Sequence, residues 1–220
     1  MTRLAIDIYS DVICPWCYVG KRRLERALDR VQGSVDPQII WKPFQLNPTM
    51  PREGMERDKY LQAKFGSLEA FRQMEEHLLE AGKGEGIAFA LDKIRRTPNT
   101  FLAHRLIWYS ETQGRQDAVV ESIFRGYFEE GADIGSRAIL AGLADRAGLH
   151  ATDTDHFLAS DEGSVEVKTG EADAHRLGIR GVPLFVLNRT QAISGAQPAD
   201  VFVSAFSRSE GRIREGISGR

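Results

Sequence analysis

Apolar residues crowd the stretch Leu4 to Tyr9, interrupted only by Asp7, and predict a first strand. Helical spacing runs from about Pro15 to Val31, and Gly33 supplies the stop. Asp36-Pro37 breaks that pattern, and Gln38 to Phe44 predicts a second strand. A strand, a long crossover helix and another strand form a βαβ unit, so the two strands are expected to be parallel. Gln45 to Pro51 is a proline-rich exit loop.

Between Met55 and Ala159 the spacing turns helical. Leu68, Phe71, Met74, Leu78 and Leu79 share a face behind a candidate N-cap, Ser67. Ala81 to Gly86 is expected to be a flexible loop. Thr97-Pro98-Asn99 opens a helix ending at Gly114, and Val119 to Phe128 marks another ending at Gly131. Ser136 is expected to cap a further one, and Thr152 or Asp153 to start a short one. A helix from near Asp161 stops at Gly178. The next run, to Asn188, reads as a strand with proline at its start, where a ladder donor can be spared. Asn188-Arg189-Thr190 folds it back on Gln191 to Gly195, and Pro198 to Phe206 is the last packed helix. The expected division is an α/β unit in two segments, 1–52 and 161–210, interrupted by an all-helical subdomain, 53–160, with a flexible tail, 211–220.

With 220 residues, 42% hydrophobic and 27% charged, the chain has the composition of ordinary globular material. Its net charge of -2 makes no electrostatic case for nucleic acid. The basic cluster Lys21-Arg22-Arg23 is expected to be a solvated helix face. No membrane span and no N-terminal signal pattern is visible, so a cytoplasmic location is expected.

The turn between the first strand and the first helix holds both cysteines, Cys14 and Cys17. A Cys-x-x-Cys pair at such a turn is a redox motif. Cys14 would precede the first helical turn, where unpaired N–H groups and the positive end of the helix dipole stabilise a thiolate; its pKa is expected below the free-thiol value of about 8.5. Cys17, one turn on and on the same face, can reach Cys14 from a more buried position. Pro15 suits the first helical turn, and Trp16 offers apolar surface at the mouth. Structural zinc would need four ligands, and His77, His104, His150, His156 and His175 show no close ligand spacing, so no metal is expected. A chance pair in a packed core is the plainer alternative.

The order of elements is that of the thioredoxin fold, and the helical block resembles the DsbA arrangement. Three motifs go further: Ser10-Asp11-x-x-Cys14-Pro15-Trp16-Cys17-Tyr18-x-Gly20, Asn99-Thr100-x-x-Ala103-His104-Arg105, and Ile193-Ser194-Gly195-Ala196-Gln197. In that wording the chain resembles the FrnE-type, DsbA-like oxidoreductases, related to 2-hydroxychromene-2-carboxylate isomerases and kappa-class glutathione transferases. The resemblance implies that Cys14 attacks and Cys17 resolves. It implies a cis bond at Val182-Pro183 facing the cysteines, with Val182 as a backbone docking point for substrate. It matches Asp7 to the acidic residue beneath the cysteine pair, a proton acceptor for Cys17; an aspartate without redox role is the equal alternative. Glutathione-using relatives suggest ligand contacts at Asn47, Ala196 and Gln197. Asn47 can equally be an Asn-Pro turn residue, and Gln197 lacks the charge that would hold a glutamyl ammonium. His104 is read first as a structural hydrogen-bond partner.

The function expected is thiol–disulfide exchange with a protein or glutathione, with no bound cofactor, glutathione as a possible co-substrate and a possible homodimer. Trp16, Pro15 and Val182 would line the docking surface. A glutathione-dependent isomerase or transferase is the first alternative, although such relatives typically carry serine in place of Cys14. A chaperone-like binding module is the second.

Overall fold

The structure, a computed structural model, describes residues 1–218 and the side chains of 1–208. Four strands form one sheet in the order β2-β1-β5-β6. β1 (Thr2–Ser10) lies parallel to β2 (Val35–Pro43), with Ile8 opposite Trp41. The helix α1 (Pro15–Arg30) crosses between them. β5 (Leu184–Leu187) runs antiparallel to β1, with Ile8 opposite Phe185, and turns into β6 (Gln191–Ser194). The hairpin turn uses left-handed backbone at Asn188 and Arg189, where asparagine is at home and arginine is not.

Alternation along β1 decides what each sheet face meets. Leu4, Ile6 and Ile8 are buried on the face shared with Phe185, which packs edge-on against Phe202 of α9 (Ala199–Ser218). That face also carries α1, which packs against α9. Tyr9 points the other way, into a small cluster with Phe44, Ala174 and Ile179; Ala174 lies on α8 (Ser164–Arg176). The outer edge of β2 is closed by a side chain. The Gln116 amide accepts from the Trp41 N–H at 2.9 Å and donates to its carbonyl at 3.2 Å, as a further strand would.

Residues 57–159 hold α2 (Arg57–Phe65), α3 (Leu68–Gly84), α4 (Phe101–Thr112), α5 (Gln116–Phe128), α6 (Arg137–Arg146) and α7 (Ala151–Ala159). The block is not wholly helical. Two two-residue strands, β3 (Met55–Glu56) and β4 (Arg96–Thr97), pair antiparallel at its base, too short to leave any periodicity in the sequence. The expected loop 81–86 is also corrected: α3 continues to Gly84, and only Glu85 and Gly86 turn. Ser67 caps α3, accepting from the Ala70 N–H, whereas Ser136 stands at the cap of α6 without making that bond. α9 runs to Ser218, past the expected end at Phe206 and into the stretch expected as a loose tail, whose last residues, 219 and 220, lie outside the described residues.

The basic run on α1 is not a solvated face. Lys21 is only 2% exposed and is ringed by Glu25, Asp117 (3.2 Å) and Glu121 (3.1 Å). Arg22 joins Glu25 and Glu121, and Arg23 joins Glu85. Beside them Tyr18 stacks on Phe124 at 5.1 Å and its hydroxyl donates to Glu129 at 2.7 Å. Besides Glu25 of α1 itself, the carboxylates are Asp117 and Glu121 on α5 and Glu85 and Glu129 at the C-terminal caps of α3 and α5, so this cluster ties α1, and the turn before it, to the helical block. Among the described residues no helix is long and apolar enough to cross a membrane.

Candidate active site

Cys14 is the N-cap of α1, in extended conformation, and Pro15 occupies the first turn. The Cys14 N–H donates to the Asp11 carbonyl and the Cys17 N–H to the Cys14 carbonyl, both at 3.0 Å. A tight turn followed directly by the helix therefore presents both sulfurs on one side. No acidic side chain sits in the first turn of α1, so the positive end of the helix dipole is left to act on whatever charge Cys14 carries. Both cysteines are buried and unlinked, Cys14 at 5% exposure and Cys17 at 1%. Burial pushes the Cys17 thiol well above the ordinary thiol range, and the adjoining Cys14 adds to the rise; the Ser10 hydroxyl and the Asp11 N–H act against it.

Across the sheet, the chain returns at the Val182–Pro183 bond, which is cis. The Cys14 thiol donates to the Val182 carbonyl at 3.6 Å. Pro183 spends its own carbonyl on the Gly195 N–H at 2.8 Å, and the β5 ladder begins only at Leu184. Val182 thus lies two residues before the paired strand, beside the cysteines. Gly20 makes this approach possible. A Cβ there would stand 3.0 Å from the Phe185 ring and 3.2 Å from Pro183. Gly20 belongs to the first motif, but its spacing alone carries no sign of this close approach. Trp16, 40% exposed, stands next to the buried pair, and Pro15 is half-buried.

Asp7 requires correction. Strand alternation turns it away from Ile6 and Ile8, onto the face of Tyr9, whose hydroxyl its charge helps to raise. It lies across the sheet from α1 and is not beneath the cysteine pair. The fully buried acid next to the cysteine turn is Asp11, whose carboxylate accepts from the Leu46 N–H at 2.7 Å. Its place in the first motif, three residues before Cys14, is the sequence signal for this acid.

The remaining candidates are engaged elsewhere. The Asn47 amide bonds the Tyr60 hydroxyl at 3.0 Å. The Ala196 carbonyl accepts from Arg23, and the Gln197 amide turns back onto the Ser194 carbonyl at 2.9 Å. The second motif proves to be a set of ties. Asn99 reaches the Met50 carbonyl, and Arg105 donates to the carbonyls of Phe157, Ser160 and Glu162. A cavity of about 370 Å³ lies between β2, α4 and α8, walled by Trp41, Trp108 and Val165, and it does not include the cysteines. Among the described residues no group of three or more His, Cys, Asp or Glu side chains could hold a metal ion.

A Cys-x-x-Cys pair at a helix N-terminus, on a βαβ unit and against a cis-proline hairpin, defines a thioredoxin-fold protein of the thiol–disulfide class. The chain belongs to the DSBA-like thioredoxin domain family, whose pattern matches residues 5–207. It is similar to the probable DsbA oxidoreductase of Streptomyces coelicolor, 34% identical, with a TM-score of 0.85 over 94% of this chain and 90% of that one. Two further solved structures share the fold. A 2-hydroxychromene-2-carboxylate isomerase is 18% identical, with a TM-score of 0.73 over 96% and 98% of the two chains. The cytosolic disulfide reductase DsbM of Pseudomonas aeruginosa, solved with GSH, is 21% identical, with a TM-score of 0.64 over 94% and 99%. At the level of the family, the chain is a thiol–disulfide oxidoreductase.

Proposed function

We propose that the protein exchanges disulfides through Cys14 and Cys17. The contact between the Cys14 sulfur and the Val182 carbonyl carries this reading, because it sets the less buried cysteine beside a backbone carbonyl that lies outside the paired strands. In the reducing direction, the Cys14 thiolate attacks one sulfur of a substrate disulfide and expels the other as thiolate, forming a mixed disulfide. Cys17 loses its proton and attacks the Cys14 sulfur. The second substrate thiol leaves, two electrons have passed to the substrate, and the protein holds a Cys14–Cys17 disulfide. The oxidising direction is the same sequence reversed. The raised Cys17 thiol suits a resolving role, since burial and the free Cys14 both disfavour its thiolate.

A peptide substrate would lie along Val182 as an added strand, with Trp16 as its apolar contact. Glutathione is the proposed co-substrate that resets the pair, and the cytoplasm the proposed location; both draw support from the fold shared with DsbM, described as cytosolic and solved with GSH. Retention of both cysteines weighs against the isomerase or transferase alternative. The test is turnover of insulin disulfides and of oxidised glutathione, with dithiothreitol as the reductant that resets the pair, by the parent protein, Cys14→Ser and Cys17→Ser. The parent is expected to turn over both. Cys14→Ser should be inactive, and Cys17→Ser should accumulate a mixed disulfide. An inactive parent, or full turnover by Cys14→Ser, refutes the reading.

A further inference from the structure

Asp11 touches both cysteines with its backbone and is itself fully buried. Its carbonyl accepts from the Cys14 N–H at 3.0 Å, and its backbone acts against the rise of the Cys17 thiol. Its side chain faces away from the turn. One carboxylate oxygen takes the Leu46 N–H at 2.7 Å, in the loop that leaves β2. The other stands 3.3 Å from Nε2 of His104, a 3%-exposed residue of α4. The contact falls short of hydrogen-bond geometry, and neither atom has a hydrogen-bond partner among the described residues. Two buried polar atoms so placed have their mutual electrostatic attraction to offset lost hydration, with the half-buried Glu171 carboxylate also acting on His104. The neighbouring Gln45 amide lies 3.2 Å from the Thr100 hydroxyl, so the β2 exit loop is also fastened to the start of α4.

We propose that Asp11 and His104 are positioning residues for the cysteine pair: His104 holds the Asp11 carboxylate, and Asp11 holds the turn that aims Cys14 at Val182. This gives a shared purpose to two motif residues almost a hundred positions apart, neither of which touches a reacting atom with its side chain. Loss of either anchor frees the turn to shift, and small misplacements of a reacting group are costly in rate. The inference rests on Cys14 being the attacking sulfur.

The first measurement uses the Cys17→Ser background, in which only Cys14 can react. Its thiolate attacks an aromatic disulfide (Ellman's reagent), forms a mixed disulfide and releases the coloured aromatic thiolate. Asp11→Ala and His104→Ala are each expected to slow this step tenfold or more. Asp11→Asn should stay within threefold, because its amide oxygen still accepts from Leu46 and its NH2 takes the place of the second carboxylate oxygen beside His104. The second measurement is the equilibrium of the two-cysteine protein with reduced and oxidised glutathione, which should shift at least threefold in both alanine variants. Near-UV circular dichroism confirms that each sample is folded. An alanine variant that folds, reacts within twofold of its parent and keeps the parent equilibrium overturns the proposal. Should the alanine variants not fold, His104→Asn, whose amide stops short of Asp11, takes their place under the same two readouts. A threefold or greater shift is then expected, and parental values overturn the proposal. An inert Cys14→Ser together with unaffected Asp11 and His104 variants defeats this inference alone. Full turnover by Cys14→Ser defeats the reading beneath it.

Discussion

The Cys14 thiol points at the carbonyl oxygen of Val182, 3.6 Å away in space and 168 residues later in the chain. The N-terminal βαβ unit carries the sulfur proposed as nucleophile, and the segment leading into the C-terminal hairpin carries the carbonyl that faces it. β1 joins the two, since it pairs with β2 on one side and β5 on the other.

Trp16 is the large exposed side chain beside this contact. Trp16→Ala is expected to lower turnover of a protein disulfide about tenfold, in line with the cost of truncating a tryptophan anchor. Reaction with a small aromatic disulfide, which needs no docking surface, should stay within about twofold. Equal loss on both substrates would remove Trp16 from the docking role.

Cys17 must be deprotonated to attack, and its folded-state pKa is raised by burial and by Cys14. The thiolate fraction therefore grows with pH across the alkaline range, past the ordinary thiol value of about 8.5. Stopped-flow measurement of intramolecular resolution in a preformed Cys14 mixed disulfide should show a rate still climbing above that pH. A plateau below it would contradict the buried environment of Cys17.

Gly20 lies where α1 meets Pro183 and Phe185. Gly20→Ala forces the ring and the proline back by a few tenths of an ångström, and overpacking of this kind costs about 1–3 kcal/mol. Urea unfolding should show that loss. Exchange through Cys14 should slow as well, because Pro183 carries the Val182 carbonyl with it. Unchanged stability would mean that the hairpin yields freely.

Lys21 is the buried centre of the ion cluster on α1. Burial alone would lower its pKa, but Asp117, Glu25 and Glu121 outweigh it and raise it; burial would likewise raise Glu121, but Lys21 and Arg22 hold it low. Lys21→Met should cost about 3 kcal/mol, the low end for losing one partner of a buried pair, because the carboxylates are partly solvated. The sign of the pH effect follows from the two directions. The Glu121 contribution is complete above the ordinary carboxylate value of about 4.3 and fades as pH falls through its depressed folded value. The Lys21 contribution is complete below about 10.4 and fades as pH rises through its raised folded value. The stability difference between parent and variant, followed by denaturant midpoints, should be flat between these limits and shrink outside them.

Much of the architecture was legible in the sequence because it follows from local periodicity. The six-residue apolar run, the long amphipathic helix and the next strand predicted the parallel pair β1 and β2. Proline before an apolar run and Asn188-Arg189-Thr190 after it predicted the hairpin. The errors fall where a local signal has no bearing on the outcome. Ala81 to Gly84 read as loop from its glycines, yet helix packing carries α3 through it: Gly82 is buried, and a Cβ on it would meet the Phe89 ring at 2.4 Å. Lys21 read as solvated because its carboxylate partners on α5 lie about a hundred residues away.

The sequence by itself determined the chemistry available at the N-terminus of α1: two thiols one helical turn apart, behind a proline that suits the first turn. Spacing of three residues on a helix is a local quantity, and it survives whatever the rest of the chain does. Only the tertiary structure decided which acid serves that site. Asp7 and Asp11 are four residues apart, but strand alternation sends Asp7 to the far face, while the turn before Cys14 sends Asp11 inward to Leu46 and His104. Whether Asp11 is a buried anchor or a solvated turn residue depends on α4 closing over it, which no local pattern around the cysteines encodes.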